Sequence, residues 1–232
     1  MFVFRMNKRV VINIALVLGL LLNSCVHKSD EKSVNSCESK EHNKWVVVIQ
    51  PLGEVNPEYL TFVKKSLQGE FSSVRILPKI YVPLKAFVPI RRRYDANKML
   101  WFLEDLYITR KYSNEIFLVG VTESDICQNR TNPKEWKDKK GFRSPDYGII
   151  GLGYQPKSSN TISSKKVNIN STYRLKSNKK EQLVKLIKHE LGHNFGLPHC
   201  SNKSCLMRDA EGGNHFDEMT GFCENCRKKF AK

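Results

Sequence analysis

The stretch HELGHNFGLPHC, from His189 to Cys200, limits the fold more tightly than any other part of the chain. The residues leading into it read as a helix. Asn178 with Glu181 has the pattern of an N-cap and a reach-back glutamate, and Val184, Ile187, Leu191 and Phe195 recur on one apolar stripe. Gly196 stands where helices end in a left-handed residue, and Pro198 cannot extend a helix, so the chain must turn sharply there. Packing of the stripe against a sheet accounts for those four apolar residues and leaves His189, Glu190 and His193 unexplained. The two histidines are four apart, so their rings project from one face, close enough to share an ion. The turn can bring His199 back as a third ligand. Zinc favours neutral imidazole nitrogens, and three protein ligands leave a fourth tetrahedral position open for water, as in catalytic sites. Glu190, beside the first ligand, is placed to accept a proton as that water attacks a peptide carbonyl. A bare HExxH arises often by chance. The longer HExxHxxGxxH adds a glycine and a third histidine in a chain that has only six histidines.

The sequence before this helix alternates between two periodicities. WVVVIQP (from Trp45), VRILPKI, EIFLVGVT, YGIIGLGY and KVNIN are short apolar runs that predict strands. PEYLTFVKKSLQGEF and ANKMLWFLEDLYI carry apolar residues at helical spacing: Leu60, Val63, Leu67 and Phe71 in the first, Met99, Phe102, Leu103 and Leu106 in the second. A long polar loop is expected from Glu123 to Asp146. This order predicts a compact three-layer α/β or α+β domain with a mixed sheet and flanking helices, spanning residues 45–232.

The first 44 residues read differently. MFVFRMNKR is a short basic start, and Val10 to Leu22 is a near-apolar run. A bilayer span needs about 20 apolar residues, whereas a signal-peptide core takes about 7–15. LLNSC, Leu21 to Cys25, resembles the lipobox of bacterial lipoproteins, in which the cysteine is acylated and becomes the first residue of the mature chain. The alternative is an ordinary signal peptide or an uncleaved anchor with an incidental cysteine. On the lipoprotein reading, residues 1–24 are a signal peptide and residues 25–44 are a lipidated Cys25 with a flexible, polar tether. Val26 is not the aspartate of an inner-membrane retention signal, so the expected location is the bacterial cell envelope, anchored by lipid in the outer membrane. The formal charge of +16 would suit an anionic partner. The lysines, however, lie in short scattered groups such as KSNKK and KDKK, and no recognisable nucleic-acid module is present. A solvated basic face, no nucleic-acid partner and a monomer are expected.

Beyond His199 the chain holds Cys200, Cys205, Cys223 and Cys226, two pairs whose spacing can supply the four thiolates of a closed tetrahedral zinc site. The run HELGHNFGLPHC…CLM…CENC resembles the archaemetzincins, a metzincin-clan family of zinc metallopeptidases. WVVVIQPLGEV, RRRYDANKML and FLVGVTESDIC are similar to the N-terminal half of the same family. The resemblance implies two zinc ions. One is catalytic, with His189, His193 and His199 as ligands and Glu190 as general base. The other is structural and held by the four cysteines. It also implies a Met-turn, with Met207 as the hydrophobic floor beneath the catalytic ion, and an antiparallel edge strand above the cleft, for which YGIIGLG is the candidate. Arg208 and Asp209 follow Met207, so the tyrosine ligand of some other metzincins is not expected. Export is a departure from a mainly intracellular family, and three disulfides are an arithmetic alternative to a thiolate site. Cys37 and Cys127 remain over, as free thiols or a disulfide. The expected function is zinc-dependent hydrolysis of peptide bonds. The alternative is a zinc-stabilised binding lipoprotein without catalysis, against which Glu190 argues.

Overall fold

The computed structural model describes residues 44–130, 145–156 and 162–230. The expected signal peptide, Cys25, the tether up to residue 43 and Cys37 lie outside the described residues. Among those described, no helix is long and apolar enough to cross a membrane.

Among the described residues, nine strands and four α-helices follow in chain order: β1 (Val46–Pro51), α1 (Pro57–Leu67), β2 (Ser73–Ile76), β3 (Phe87–Val88), β4 (Arg93–Asp95), α2 (Ala96–Thr109), β5 (Ile116–Thr122), β6 (Ile126–Asn129), β7 (Asp146–Ile149), β8 (Gly151–Gly153), β9 (Val167–Ser171), α3 (Lys179–Asn194) and α4 (Glu224–Phe230). The main sheet has the order β2-β1-β5-β9-β8 and is parallel except for β8, which runs antiparallel to β9 at the edge. β1 and β5 at its centre are near-continuous apolar runs because both faces are covered. Val47, Ile49, Phe117 and Val119 pack with α1 and α3, while Val48 and Leu118 pack with α2 on the other side. This is the expected three-layer α/β arrangement.

Local chemistry sets the helix ends. Asn56 caps α1 by accepting the Glu58 amide at 2.9 Å, with Pro57 in the first turn. The helix stops at Leu67, ahead of Gly69 at φ +100°, so Phe71 lies beyond it although it is still buried. Asp95 caps α2 through the amides of Asn97 and Lys98. At α3 the expected cap does not form: Asn178 makes no side-chain cap bond. Gln182 reaches back instead, its Oε1 accepting the Lys176 amide at 2.9 Å.

Two further differences concern the middle of the chain. The stretch expected as a polar loop contains β6, and YGIIGLGY is two strands in two sheets. β7 joins a second sheet of order β3-β4-β6-β7, and only β8 is the antiparallel edge of the main one. The second sheet is short and polar. Charge holds it together and to the main body: within it Arg93 contacts Asp125 at 2.9 Å and Asp146 at 3.1 Å, and Arg174, beyond β9, holds Asp125 through two bonds of 2.8 Å.

β9 has one apolar and one polar face. Val167 and Ile169 join the α2 core, while Asn168 and Asn170 point the other way, where α3 lies. Asn170 Nδ2 donates to Gly120 O at 3.1 Å and to Asn168 Oδ1 at 2.7 Å, and Asn168 Nδ2 donates to Asn194 Oδ1 at 2.9 Å. Asn194 Nδ2 then donates to the carbonyls of Tyr154 (2.9 Å) and Val167 (3.2 Å). All three asparagines are fully buried, so each depends on the next. Asn168→Ala removes two of these bonds and strands Asn194 Oδ1, an expected cost of about 1–3 kcal/mol. At roughly 2–4 °C per kcal/mol for a domain of this size, thermal unfolding followed by circular dichroism should show a clearly lower midpoint. An unchanged midpoint would show that the ladder adds nothing to stability.

Candidate metal centre and cleft

The end of α3 forms the site. Gly196 has φ +83°; its amide donates to His193 O and the Leu197 amide donates to Gly192 O, each at 2.9 Å. This pair of bonds closes the helix with a left-handed glycine and reverses the chain. Leu197 is buried by the turn, and His199 comes back over the helix. Its ring centroid lies 4.8 Å from that of His193 and 5.5 Å from that of His189, and one ring nitrogen from each of the three lies within 4.8 Å of the others.

Hydrogen bonds orient these rings. His189 Nδ1 lies 2.6 Å from Leu206 O and His193 Nδ1 lies 2.9 Å from Leu197 O, so each Nδ1 carries its proton towards a carbonyl. That leaves two Nε2 lone pairs facing each other at 3.0 Å. Lone pairs repel at that distance, and a cation shared between them removes the conflict. Burial lowers the pKa of His189 to about 4 and of His193 to about 3, so both rings are neutral, as a metal ligand must be. His199 Nδ1 lies 3.3 Å from Asp209 Oδ2, an outer carboxylate that steadies the third ring and leaves its Nε2 free to point inward. The donor set fits zinc.

Glu190 is buried between α3 and β8. A Cβ added at Gly151 would stand 2.6 Å from Glu190 Oε1, and one at Gly153 would stand 2.9 Å from Glu190 O. The strand therefore approaches the helix only because it lacks side chains there. Burial pushes the Glu190 carboxyl up to about 8, and the Gly153 amide, which donates to it, works against that shift. A cleft of about 480 Å³ runs along β8 and is lined by the three histidines and Glu190, with Leu186 and Phe216 among its apolar walls.

The residues after the turn form the floor. Met207 is fully buried, and a Cβ at Gly192 would lie 2.4 Å from its Sδ, so the thioether rests against the backbone of α3. Cys200, Cys205, Cys223 and Cys226 place their Sγ atoms within 4.8 Å of one another, with Cys200 and Cys223 at 3.8 Å, and all four are free thiols. Cys205 Sγ accepts the amides of Met207 (3.5 Å) and Cys223 (3.4 Å). The Cys226 amide holds the Cys223 thiol down at about 7, while burial first, and then the neighbouring thiols, push Cys226 up. Four sulfurs this close cannot all ionise without a cation among them. Cys127 is separate, a buried free thiol raised to about 11 by burial and then by Asp146.

The candidate ligands and Met207 thus fall into one of two adjoining clusters or the floor between them, with Glu190 beside the histidines and Cys127 apart from both. Sequence reasoning missed Asp209, noted only as a non-tyrosine, because a carboxylate at that distance follows no periodicity. It also missed the carbonyls of Leu206 and Leu197, which have no side-chain signature at all.

Comparison with known proteins agrees with this geometry. The profile described as Peptidase family M54 matches residues 151–232. The archaemetzincin of Methanocaldococcus jannaschii is 30% identical over 187 residues, covering 79% of this chain and 91% of the relative. That of Pyrococcus furiosus is 27% identical over 197 residues, covering 81% and 93%. Among solved structures, archaemetzincin from Archaeoglobus fulgidus, complexed with malonate, superposes with a TM-score of 0.56 at 27% identity, covering 79% of this chain and 99% of the other. Archaemetzincin from Methanopyrus kandleri shares the fold at a TM-score of 0.58 and 20% identity, covering 82% and 95%. By sequence and fold the chain belongs to the archaemetzincins, Peptidase family M54, and is a zinc metallopeptidase.

Proposed function

We propose that Glu190 is the general base of peptide hydrolysis, that His189, His193 and His199 hold the catalytic zinc, and that Cys200, Cys205, Cys223 and Cys226 hold a second, structural zinc. The observation that carries the catalytic reading is the buried carboxylate of Glu190 beside three converging imidazoles on the wall of one cleft. A zinc ion in the histidine cluster supplies Lewis acidity, which makes water a stronger acid and polarises a carbonyl. Ionised by the charge of a cation in the histidine cluster, Glu190 would accept the proton of the attacking water on a carboxylate oxygen and return it to the departing amine. The Gly153 amide, donating to the same carboxylate, fixes its orientation. β8 presents an edge to the cleft, so an extended peptide can add to it as a further strand. A binding module without catalysis would gain nothing from a buried carboxylate at this position, where burial alone destabilises the charge.

In the same reading Cys25 is acylated and becomes the first residue of the mature chain once residues 1–24 are removed, and residues 25–44 tether a monomeric domain (45–232) to the outer membrane of a bacterial envelope. What supports it is LLNSC at the end of the apolar run, followed by a polar, serine-containing stretch.

Four measurements test these assignments. Glu190→Gln keeps the shape and an oxygen for the Gly153 amide, so fold and zinc content should hold while kcat falls by roughly 10²–10⁴-fold. Equal turnover by the variant would remove Glu190 from the mechanism. Native mass spectrometry should find close to two zinc ions and four reduced cysteines in the C-terminal cluster. A chelator should take the ion with three neutral ligands first, abolishing activity before the domain unfolds. One zinc with paired, oxidised cysteines would replace the structural metal by disulfides. Finally, labelled fatty acid should enter the full chain and not its Cys25→Ser variant; equal labelling of both would end the lipoprotein assignment.

A further inference from the structure

Four of the large apolar side chains that stand exposed among the described residues fall in one short segment: Tyr81 and Ile90, each 93% exposed, Leu84 at 84% and Phe87 at 38%. That segment, LPKIYVPLKAFVPIRRRY from Leu77 to Tyr94, carries Lys79, Lys85, Arg91, Arg92 and Arg93 and no acidic residue. Exposed apolar side chains at this density cost solubility unless something covers them.

The local structure holds them outward. Pro83 precedes one 3-10 turn (Leu84–Ala86) and Pro89 opens another (Pro89–Arg91). Between and after them β3 and β4 pair as a minimal hairpin, Phe87 opposite Tyr94 and Val88 opposite Arg93. Arg92, at φ +51°, closes it by donating its amide to Pro89 O at 3.2 Å, which leaves Ile90 at the tip. The inner side is fastened to the domain: the Ile80 amide donates to Pro51 O at 3.1 Å, Val82 packs on Gly53, and Ala86 is fully buried in the α2 core. Inward and outward positions alternate, so the exposed ones are a formed surface. It lies on the strand farthest from β7 in the second sheet, and β7 lines the cleft. Contact at β3 therefore leaves the cleft accessible.

We propose that this segment is a docking surface for a membrane containing anionic phospholipid. Leu84 and Ile90 enter the acyl boundary, the Tyr81 and Phe87 rings lie at headgroup level, and Lys85 and Arg92 meet phosphates. Lys79 pairs with Glu54, and Arg93 is held by Asp125 and Asp146, so neither is assigned a lipid. Charge and aliphatic content select this occupant: a second copy would present the same basic surface and be repelled, and Leu84 and Ile90, the aliphatic tips beside the Tyr81 and Phe87 rings, fit an acyl boundary and gain nothing from nucleic-acid bases. The surface is a separate device from acylation of Cys25, and it would orient a domain that a lipid alone only tethers.

The test places an indole in the patch and asks whether lipid reaches it. Full chains carrying Ile90→Trp, or Thr61→Trp on the exposed side of α1 as a control, are bound to phosphatidylcholine vesicles with or without phosphatidylglycerol. Brominated acyl chains in the vesicles serve as the quencher. The expected result is quenching several-fold greater for Ile90→Trp than for the control, dependent on phosphatidylglycerol, and abolished by adding Lys85→Glu and Arg92→Glu. Quenching equal to the control on vesicle-bound chain, or indifferent to phosphatidylglycerol, overturns the proposal while leaving the N-terminal anchor intact. A wild-type chain that is dimeric without lipid, and monomeric as Ile90→Asp, overturns it in favour of a self-interface. Loss of Cys25 acylation lowers the amount of chain bound without changing this comparison.

Discussion

Two backbone hydrogen bonds, Gly196 N to His193 O and Leu197 N to Gly192 O, decide where the last part of the chain goes. A residue with a Cβ would be strained at φ +83°, and a helix that ran on would carry His199 away from the cluster. The same reversal buries Leu197 and puts its carbonyl 2.9 Å from His193 Nδ1, so the turn that returns the third ring also fixes the proton on the second. Leu206 O, further along the returning chain, does this for His189. Ligand geometry here is largely a matter of backbone carbonyls.

That geometry requires α3 to be buried on almost every side, histidines and glutamate included. A helix enclosed in this way normally presents apolar residues all round. Here each polar group inside has a partner that the surroundings supply: carbonyls for the two rings, the Gly153 amide for Glu190, Asn168 for Asn194. The partners come within reach because β8 and Gly192 give up side chains at the contacts. Met207 could not lie under the helix against any residue larger than Gly192. Activity and stability therefore draw on the same close contacts, and a substitution that loosens one disturbs the other.

How much of this was legible follows from the range of the interactions. The end of α3 was readable because its determinants are local: the four-residue spacing of the histidines, the glycine of the turn and the proline after it all act within one reversal of the chain. The main sheet was readable because burial on both faces leaves continuous apolar runs. The second sheet was not. β6 and β7 are short, half polar and held by Arg93, Arg174, Asp125 and Asp146, charges distant in sequence whose pairing no periodicity announces. The single run YGIIGLGY conceals a change of sheet at Ile150 for the same reason. Asn178 looked like a cap by residue type, yet Gln182 takes over the reach-back bond, a competition that only packing decides.

The adjacency of the two candidate metal clusters has a mechanical consequence. His199 and Cys200 are consecutive, and Cys205, Leu206 and Met207 are consecutive, so each cysteine of the first pair adjoins a residue that shapes the histidine site. The Cys200 amide donates to Met207 O at 2.7 Å, closing the segment into a loop. The Leu206 amide, bonded to Gly221 O at 2.9 Å, fastens that loop to the chain leading to Cys223. Two disulfides would join sulfurs in pairs, each constraining one separation. A four-thiolate centre constrains all four sulfurs about a single point, and so fixes both ends of the loop relative to α4, which carries Cys226. Because Leu206 O holds His189 and Met207 supports Gly192, a structural zinc of the kind proposed would act on the histidine site without touching it, by setting the height of the floor on which the rings are supported.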